Sequence, residues 1–306
     1  MKKVKSLMAV ATALVLLSSC QNADNNPVSD SVPLSIKTTF GTTTKSVISS
    51  FPNASALGLF VTSGALGNNY EGTSSYQNVK STYSGSAWSQ ATPVYLTNNN
   101  AAIYAYYPYS AVVTNGTIIP VEATSQTDYM YGSSNDVNNS SAIATLSMKH
   151  ALALVEFKMN KTNYPGVGLV TKIEIANASG KTILFSEGTL NCSTGTISNT
   201  SGKNISASIS NGSGLLTLPA TASSDESTYP KVMVLPTAAT VAAGDLVINF
   251  TIDGKVYTYQ VPASTTWLGG SKNIYTVTLS GTAVSVNGSV AITDWTSGVN
   301  GTAGLN

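Results

Sequence analysis

Cys20 stands where its neighbours prepare a thiol for a covalent reaction. It closes the run Leu17-Ser18-Ser19-Cys20, behind Lys2, Lys3 and Lys5 and a stretch from Leu7 to Leu17 that is nearly all apolar or small. A thiol in that position is the nucleophile that takes a diacylglycerol, and the small Ser19 admits the peptidase that cuts before it. The apolar stretch, at roughly ten residues, is well short of the ~20 a membrane-crossing helix needs, and its flanks are those of a cleaved export signal. Residues 1–20 therefore read as a lipoprotein signal with its lipidation site at Cys20. Acyl chains contribute about 0.8 kcal/mol per buried methylene, so two or three together hold a chain firmly. The mature protein is predicted to be tethered to a membrane and not embedded in it.

Other chemistry-bearing residues do not converge. His150 is the single histidine of the chain and sits in an apolar run, where a hydrogen-bonded core or sheet-edge role is expected. All 15 basic residues are lysines. A Ser-His-Asp or Cys-His arrangement would need every partner to gather around His150. No glycine-rich phosphate loop opens a helix, and no spacing fits a metal. The acidic residues are scattered apart from Asp225-Glu226, and Asn135, Asp136, Asn138 and Asn139 do not follow the calcium-loop pattern. We expect no catalytic residues, no metal and no cofactor. With a net charge of +1 and no basic run after the signal, nucleic acid is not an expected partner. Cys192 has no partner once Cys20 is acylated, and reads as a small strand or turn residue. The cluster Tyr104, Tyr106, Tyr107 and Tyr109, with Trp88 and Trp267, has two readings: a stacking platform for sugars, or strand residues chosen for β-propensity before Pro108 ends the run.

The elements that would hold these residues are strands. Charged residues make up 9% of the chain, against about a quarter in a typical soluble domain, and Ser, Thr, Asn and Gly fill the gap. Residues 21–31 are polar and aperiodic, a flexible tether. Val32, Leu34, Ile36, Thr38 and Phe40 then alternate with more polar residues, the period of a half-buried strand. Further β-like runs span 57–62, 76–83, 101–107, 118–121 and 128–131. The apolar stretch from Ile143 to Met159 reads as one strand buried on both faces. The breakers of Lys161-Thr162-Asn163-Tyr164-Pro165-Gly166 divide an N-terminal domain, 32–160, from a C-terminal one, 161–306. Asp253-Gly254 predicts a two-residue hairpin turn pairing Phe250 with Tyr257, Ile248 with Tyr259 and Leu246 with Val261. The apolar phase of Tyr275, Val277 and Leu279 flips at Gly281 to Val284 and Val286, which suggests a glycine bulge. Asn287-Gly288 is a second turn signal, with a last strand from Val290 to Trp295.

The lipobox, Tyr104-Ala105-Tyr106-Tyr107-Pro108, Asp128-Tyr129-Met130-Tyr131, His150-Ala151-Leu152-Ala153-Leu154-Val155-Glu156-Phe157, Gly269-Gly270-Ser271-Lys272-Asn273-Ile274-Tyr275-Thr276-Val277-Thr278-Leu279 and Ile292-Thr293-Asp294-Trp295 follow one another in an order that resembles the fimbrillin-like lipoproteins of Gram-negative anaerobes, subunits of type V pili. The resemblance spans almost the whole mature chain. It implies an all-β fold of two tandem transthyretin-like antiparallel sandwiches, at the cell outer membrane as a surface lipoprotein or in a fimbrium once matured. It also implies that a protease removes the tether with the first strand, here Val32 to Phe40 with Leu34, Ile36 and Phe40 as its apolar teeth. A strand of another pilin subunit then fills the groove, and the segment from Val284 onward is the matching donor. The Gly41 to Ser46 loop is the matching cleavage segment. Members matured by an arginine-specific protease carry arginine there, whereas this chain offers Lys45. A protease of different specificity, or an uncleaved lipid-retained anchor, would fit that difference. Adhesion to host or bacterial surfaces is the implied role, with a surface glycan-binding lipoprotein as the alternative.

Overall fold

The computed structural model describes residues 31–40, 50–201, 207–237, 241–281 and 283–294. Cys20, Lys45 and Trp295 lie outside the described residues. The first strands in chain order are β1 (Val32–Pro33), β2 (Ser35–Phe40), β3 (Ala56–Thr62), β4 (Val79–Tyr83), β5 (Trp88–Gln90), β6 (Tyr95–Leu96), β7 (Ala101–Tyr107), β8 (Ile119–Glu122), β9 (Met130–Val137), β10 (Ile143–His150) and β11 (Ala153–Thr162). They continue with β12 (Leu169–Asn177), β13 (Glu187–Leu190), β14 (Ile197–Ser201), β15 (Ala207–Ser210), β16 (Leu216–Thr217), β17 (Lys231–Val234), β18 (Leu246–Ile252), β19 (Lys255–Gln260), β20 (Ser271–Ser280) and β21 (Ala283–Asp294). The fold is all-β, as the composition and alternation predict.

One seven-stranded sheet, β2-β10-β9-β7-β3-β4-β5, builds the N-terminal half. It curls until its two edges meet, where the Trp88 indole N–H donates to Thr38 Oγ1 at 3.2 Å. Leu57, Leu59, Val61, Ile103, Ala105 and Leu146 pack inside the curl. The other face of β3 and β7 is buried too, with Phe60 and Tyr106 against Ile119, Leu190 and Cys192. That double burial explains why β7 reads as an almost unbroken apolar run. Gly58 is required beneath it, since a Cβ there would overlap the Tyr106 ring.

The C-terminal half is a sandwich. Sheet β17-β11-β20-β21 faces sheet β15-β12-β18-β19, with β16 also pairing with β12. Phe157 of one sheet meets Phe250 of the other edge-on at 5.3 Å, and stacks on Tyr275 at 6.0 Å. The Asp253-Gly254 hairpin has the predicted register, Phe250 opposite Tyr257 and Ile248 opposite Tyr259. Both turn residues take positive φ, 49° and 76°, as a type I′ turn demands.

Three local expectations are corrected. The stretch Ile143 to Met159 is two strands, because the backbone leaves the first sheet after His150 and enters the second at Ala153. The chain thus changes sheets across Ala151-Leu152, ahead of the Lys161 to Gly166 breakers. Gly281 is no bulge but part of a turn, at φ 56°, joining β20 to β21, with Ser280 opposite Ala283 and Leu279 opposite Val284. The phase flips there because the chain reverses. Asn287-Gly288, conversely, is not a turn: it lies within β21, beside an irregularity in register between Ile274 and Thr276 of its partner.

The halves share a further, three-stranded sheet. Strands β13 and β14 of the C-terminal half add to β8 of the N-terminal half in the order β14-β13-β8.

Candidate functional site

The first strand occupies a slot with hydrogen bonds on both of its edges. Val32 and Pro33 run antiparallel to Leu96 and Tyr95, and the Leu34 N–H donates to Val94 O at 2.8 Å. One residue later the pairing changes sides, when the Ser35 N–H donates to Ala142 O at 2.8 Å. From there β2 runs parallel to β10, Ser35 opposite Ile143 through Phe40 opposite Met148. Parallel pairing with the tenth strand was invisible in the sequence, as was the role of Val94 to Leu96. No local turn links these strands, and β6 is only two residues long.

Alternation decides what faces the core. Leu34 and Ile36 are buried, Thr38 and Phe40 partly so, while Pro33, Ser35, Lys37 and Thr39 are exposed. Phe40 packs on Phe51 with ring centroids 5.0 Å apart, and Phe51 meets Trp88 at 5.1 Å and Tyr107 at 5.2 Å. Of the expected site residues, Leu34, Ile36 and Phe40 are therefore brought together on one inward face. At the other end of the chain, β21 pairs with β20 at the edge of its sheet.

The chemistry-bearing side chains of the described residues are tied into the structure. His150 Nδ1 lies 2.8 Å from Asp128 Oδ1, both buried, tying β10 to the loop before β9. Burial pushes the Cys192 thiol up to about 12, so it is no nucleophile in the folded chain. Glu156 is wholly buried in β11 and bonded to Lys231 at 2.8 Å across the strand pair. Burial raises its carboxyl above the usual range, with Lys231 opposing. Lys272, also buried, bonds Glu226 at 2.7 Å. Among the described residues no three His, Cys, Asp or Glu side chains converge as metal ligands. Asn100 donates to Asp136 Oδ1 and accepts from the Asn138 amide.

The aromatic cluster divides. Tyr106 and Trp267 are fully buried, the indole of Trp267 donating to Tyr275 Oη at 3.3 Å. Tyr107 packs against Phe51, and Tyr104 donates its hydroxyl to Gly64 O at 3.2 Å. Burial of Tyr106 and Trp267 takes both rings away from any sugar-stacking surface.

The sequence matches the family model described as fimbrillin-like over residues 43–295. No curated protein matches it. Among solved structures, a putative cell adhesion protein from Bacteroides uniformis is similar with a TM-score of 0.62 at 21% identity, covering 87% of this chain and 99% of its own. One from Bacteroides ovatus gives 0.60 at 16% identity over 87% of this chain and 98% of its own. A fimbrial protein from Bacteroides vulgatus gives 0.52 at 14% identity, with 86% and 99% covered.

Proposed function

Because the chain belongs to the fimbrillin-like family, we propose that it is a structural, non-enzymatic subunit of a surface pilus or its anchor, joined to other pilin subunits by exchange of the first strand and serving adhesion. The observation that carries this reading is the slot of residues 32–40, bonded along both edges at Leu34-Ser35 and lined by an apolar core. Two fully buried aliphatic side chains contribute about 1.5–3 kcal/mol each, and ladder hydrogen bonds about 0.5–1.5 kcal/mol each. Removing the strand leaves those groups unsatisfied, so the drive to accept a replacement is large.

The replacement we favour is the C-terminal strand of another copy. Pro33-Leu34-Ser35-Ile36-Lys37-Thr38-Thr39-Phe40 and Ala283-Val284-Ser285-Val286-Asn287-Gly288-Ser289-Val290 share an order of apolar, polar and small positions. In that register Val284 and Val286 take the places of Leu34 and Ile36. The export signal ending at Cys20 supports delivery as an outer-membrane lipoprotein, with the two halves as the two tandem sandwich units. Lys45 is the residue at which maturation would cut.

Native trypsin treatment of protein lacking the lipid tether tests this. Cleavage after Lys45 followed by concentration-dependent ladders on a denaturing gel is expected. Cleaved protein that stays monomeric at high concentration would refute polymerisation. Retardation in a polysaccharide gel by that monomer would instead favour a glycan-binding lipoprotein.

A further inference from the structure

We infer that Ile143–Thr162 is the tension-bearing tie of this subunit, gripped at each end by a parallel strand pair loaded in shear. Strands β10 and β11 follow each other through Ala151 and Leu152 alone. The first of them is flanked by β2 in parallel register over six residues, Ile143 to Met148 against Ser35 to Phe40. The second is flanked by β20 in parallel register over nine, Leu154 to Thr162 against Lys272 to Ser280.

Polarity decides how such pairs respond to pulling. A load entering β2 from residue 31 acts at its N-terminal end, while β10 passes it on from its C-terminal end at His150. In a parallel pair those ends lie at opposite extremes, so every bond of the ladder is strained together. The same holds one step further on. Strand β11 is loaded at Ala153 and β20 is relieved at Ser280, again opposite extremes of a parallel pair. The antiparallel pair β20–β21 differs. Thr293 lies opposite Lys272, which lies opposite Leu154, so a pull on Asp294 and a pull on Ala153 act at the same end and open the ladder one rung at a time.

This inference rests on the pilus reading for its use, since a filament subunit is pulled along its length. With exchange, the incoming strand replaces β2, and the departing strand leaves from the end of β20. The same two ladders would then carry the load, and only an incoming strand parallel to β10 would be sheared. Lys231 and Glu226 add side-chain bonds to Glu156 on the tie and Lys272 on its neighbour.

Single-molecule pulling on unacylated, uncleaved monomer tests the inference without polymerisation. One handle is attached at the native thiol of Cys20; Cys192 is buried. The second is attached at Ser280→Cys, an exposed position, or at the C-terminal end of the chain. Forced rupture reports the unfolding barrier. The Ser280→Cys geometry is expected to give a first rupture at about threefold higher force than the C-terminal geometry. The C-terminal geometry should show an early weak event releasing the 12 residues of β21, roughly 40 Å of chain, and then the same strong rupture. Equal first forces, or no weak early event, would overturn the shear assignment. Absence of ladders after trypsin would instead count against strand exchange and leave this result standing.

Discussion

Gln126 stands in for a β-strand on the backbone of Met233. Its carboxamide donates to Met233 O at 2.9 Å and accepts from the Met233 N–H at 2.7 Å, and it also donates to Ala123 O at 2.6 Å. Met233 lies in β17, an edge of its four-stranded sheet. An unpaired edge is a template for another chain, and here one side chain from the N-terminal half occupies part of it. Gln126 holds a φ of 53° to do so.

Replacing Gln126 by Ala should therefore cost stability and expose β17. We expect a loss of about 1–3 kcal/mol in denaturant unfolding, from leaving buried backbone groups unsatisfied. Light scattering should show concentration-dependent dimers without any cleavage of the chain. An unchanged midpoint and a monomer at all concentrations would contradict the edge-blocking role.

Trp88 is expected to hold the first strand in its slot. Trp88→Ala removes the bond to Thr38 and the contact with Phe51, and should destabilise by about 1.5–3 kcal/mol. Hydrogen exchange should rise most at the amides of Ser35 to Phe40, while β18 and β20 stay protected. Uniform acceleration throughout the chain would show that Trp88 acts on the core and not on the strand.

The Glu156 carboxyl gives a pH signature of defined sign. Because burial raises its pKa in the folded chain, the folded state holds the proton more tightly than the unfolded one. Its contribution to stability is fully present below the ordinary value of 4.5 and is lost as pH rises through the raised value. Asp253 has the opposite sign: N–H donors from Gly168 and Leu169 lower its pKa, so its contribution is present above 3.8 and lost as pH falls. Comparing Glu156→Gln with wild type isolates the first effect. The variant should gain on wild type as pH rises from 4.5 upward, read from thermal midpoints across the titration. A constant difference between the two would show that Glu156 does not titrate in that window.

Cys192 reports on the join between the halves. Its thiol is buried among Phe60, Tyr106 and Leu190, so a thiol reagent at neutral pH should label it only at the rate of global unfolding. Rapid labelling of native protein would mean that this cluster opens by itself.

The sequence made the fold class, the β7 run and the β18–β19 hairpin legible because each depends on neighbours close along the chain. The Asp253-Gly254 pair states its own turn, and alternation around it fixes the register. What escaped depends on partners far away. Leu34 and Ile36 advertise an inward face but not which strand they lie beside, and β10 is more than a hundred positions distant. Ile143 to Met159 misled because Ala151 and Leu152 are themselves buried, so no turn residue marks the passage from the half-buried β10 to the buried β11. Gly281 misled because a phase flip is common to a bulge and a reversal. Gln126 left no signal, since its task is set by the backbone of Met233, which any sequence would supply.

The passage between the two halves is only Ala151 and Leu152, and β8, β13 and β14 lace the halves together beside it. Among the described residues, the short passage and the shared sheet restrain the halves from swinging against each other. A fibre made of these units would owe its suppleness to the joints from one molecule to the next, and each molecule would travel along its curve as a stiff link.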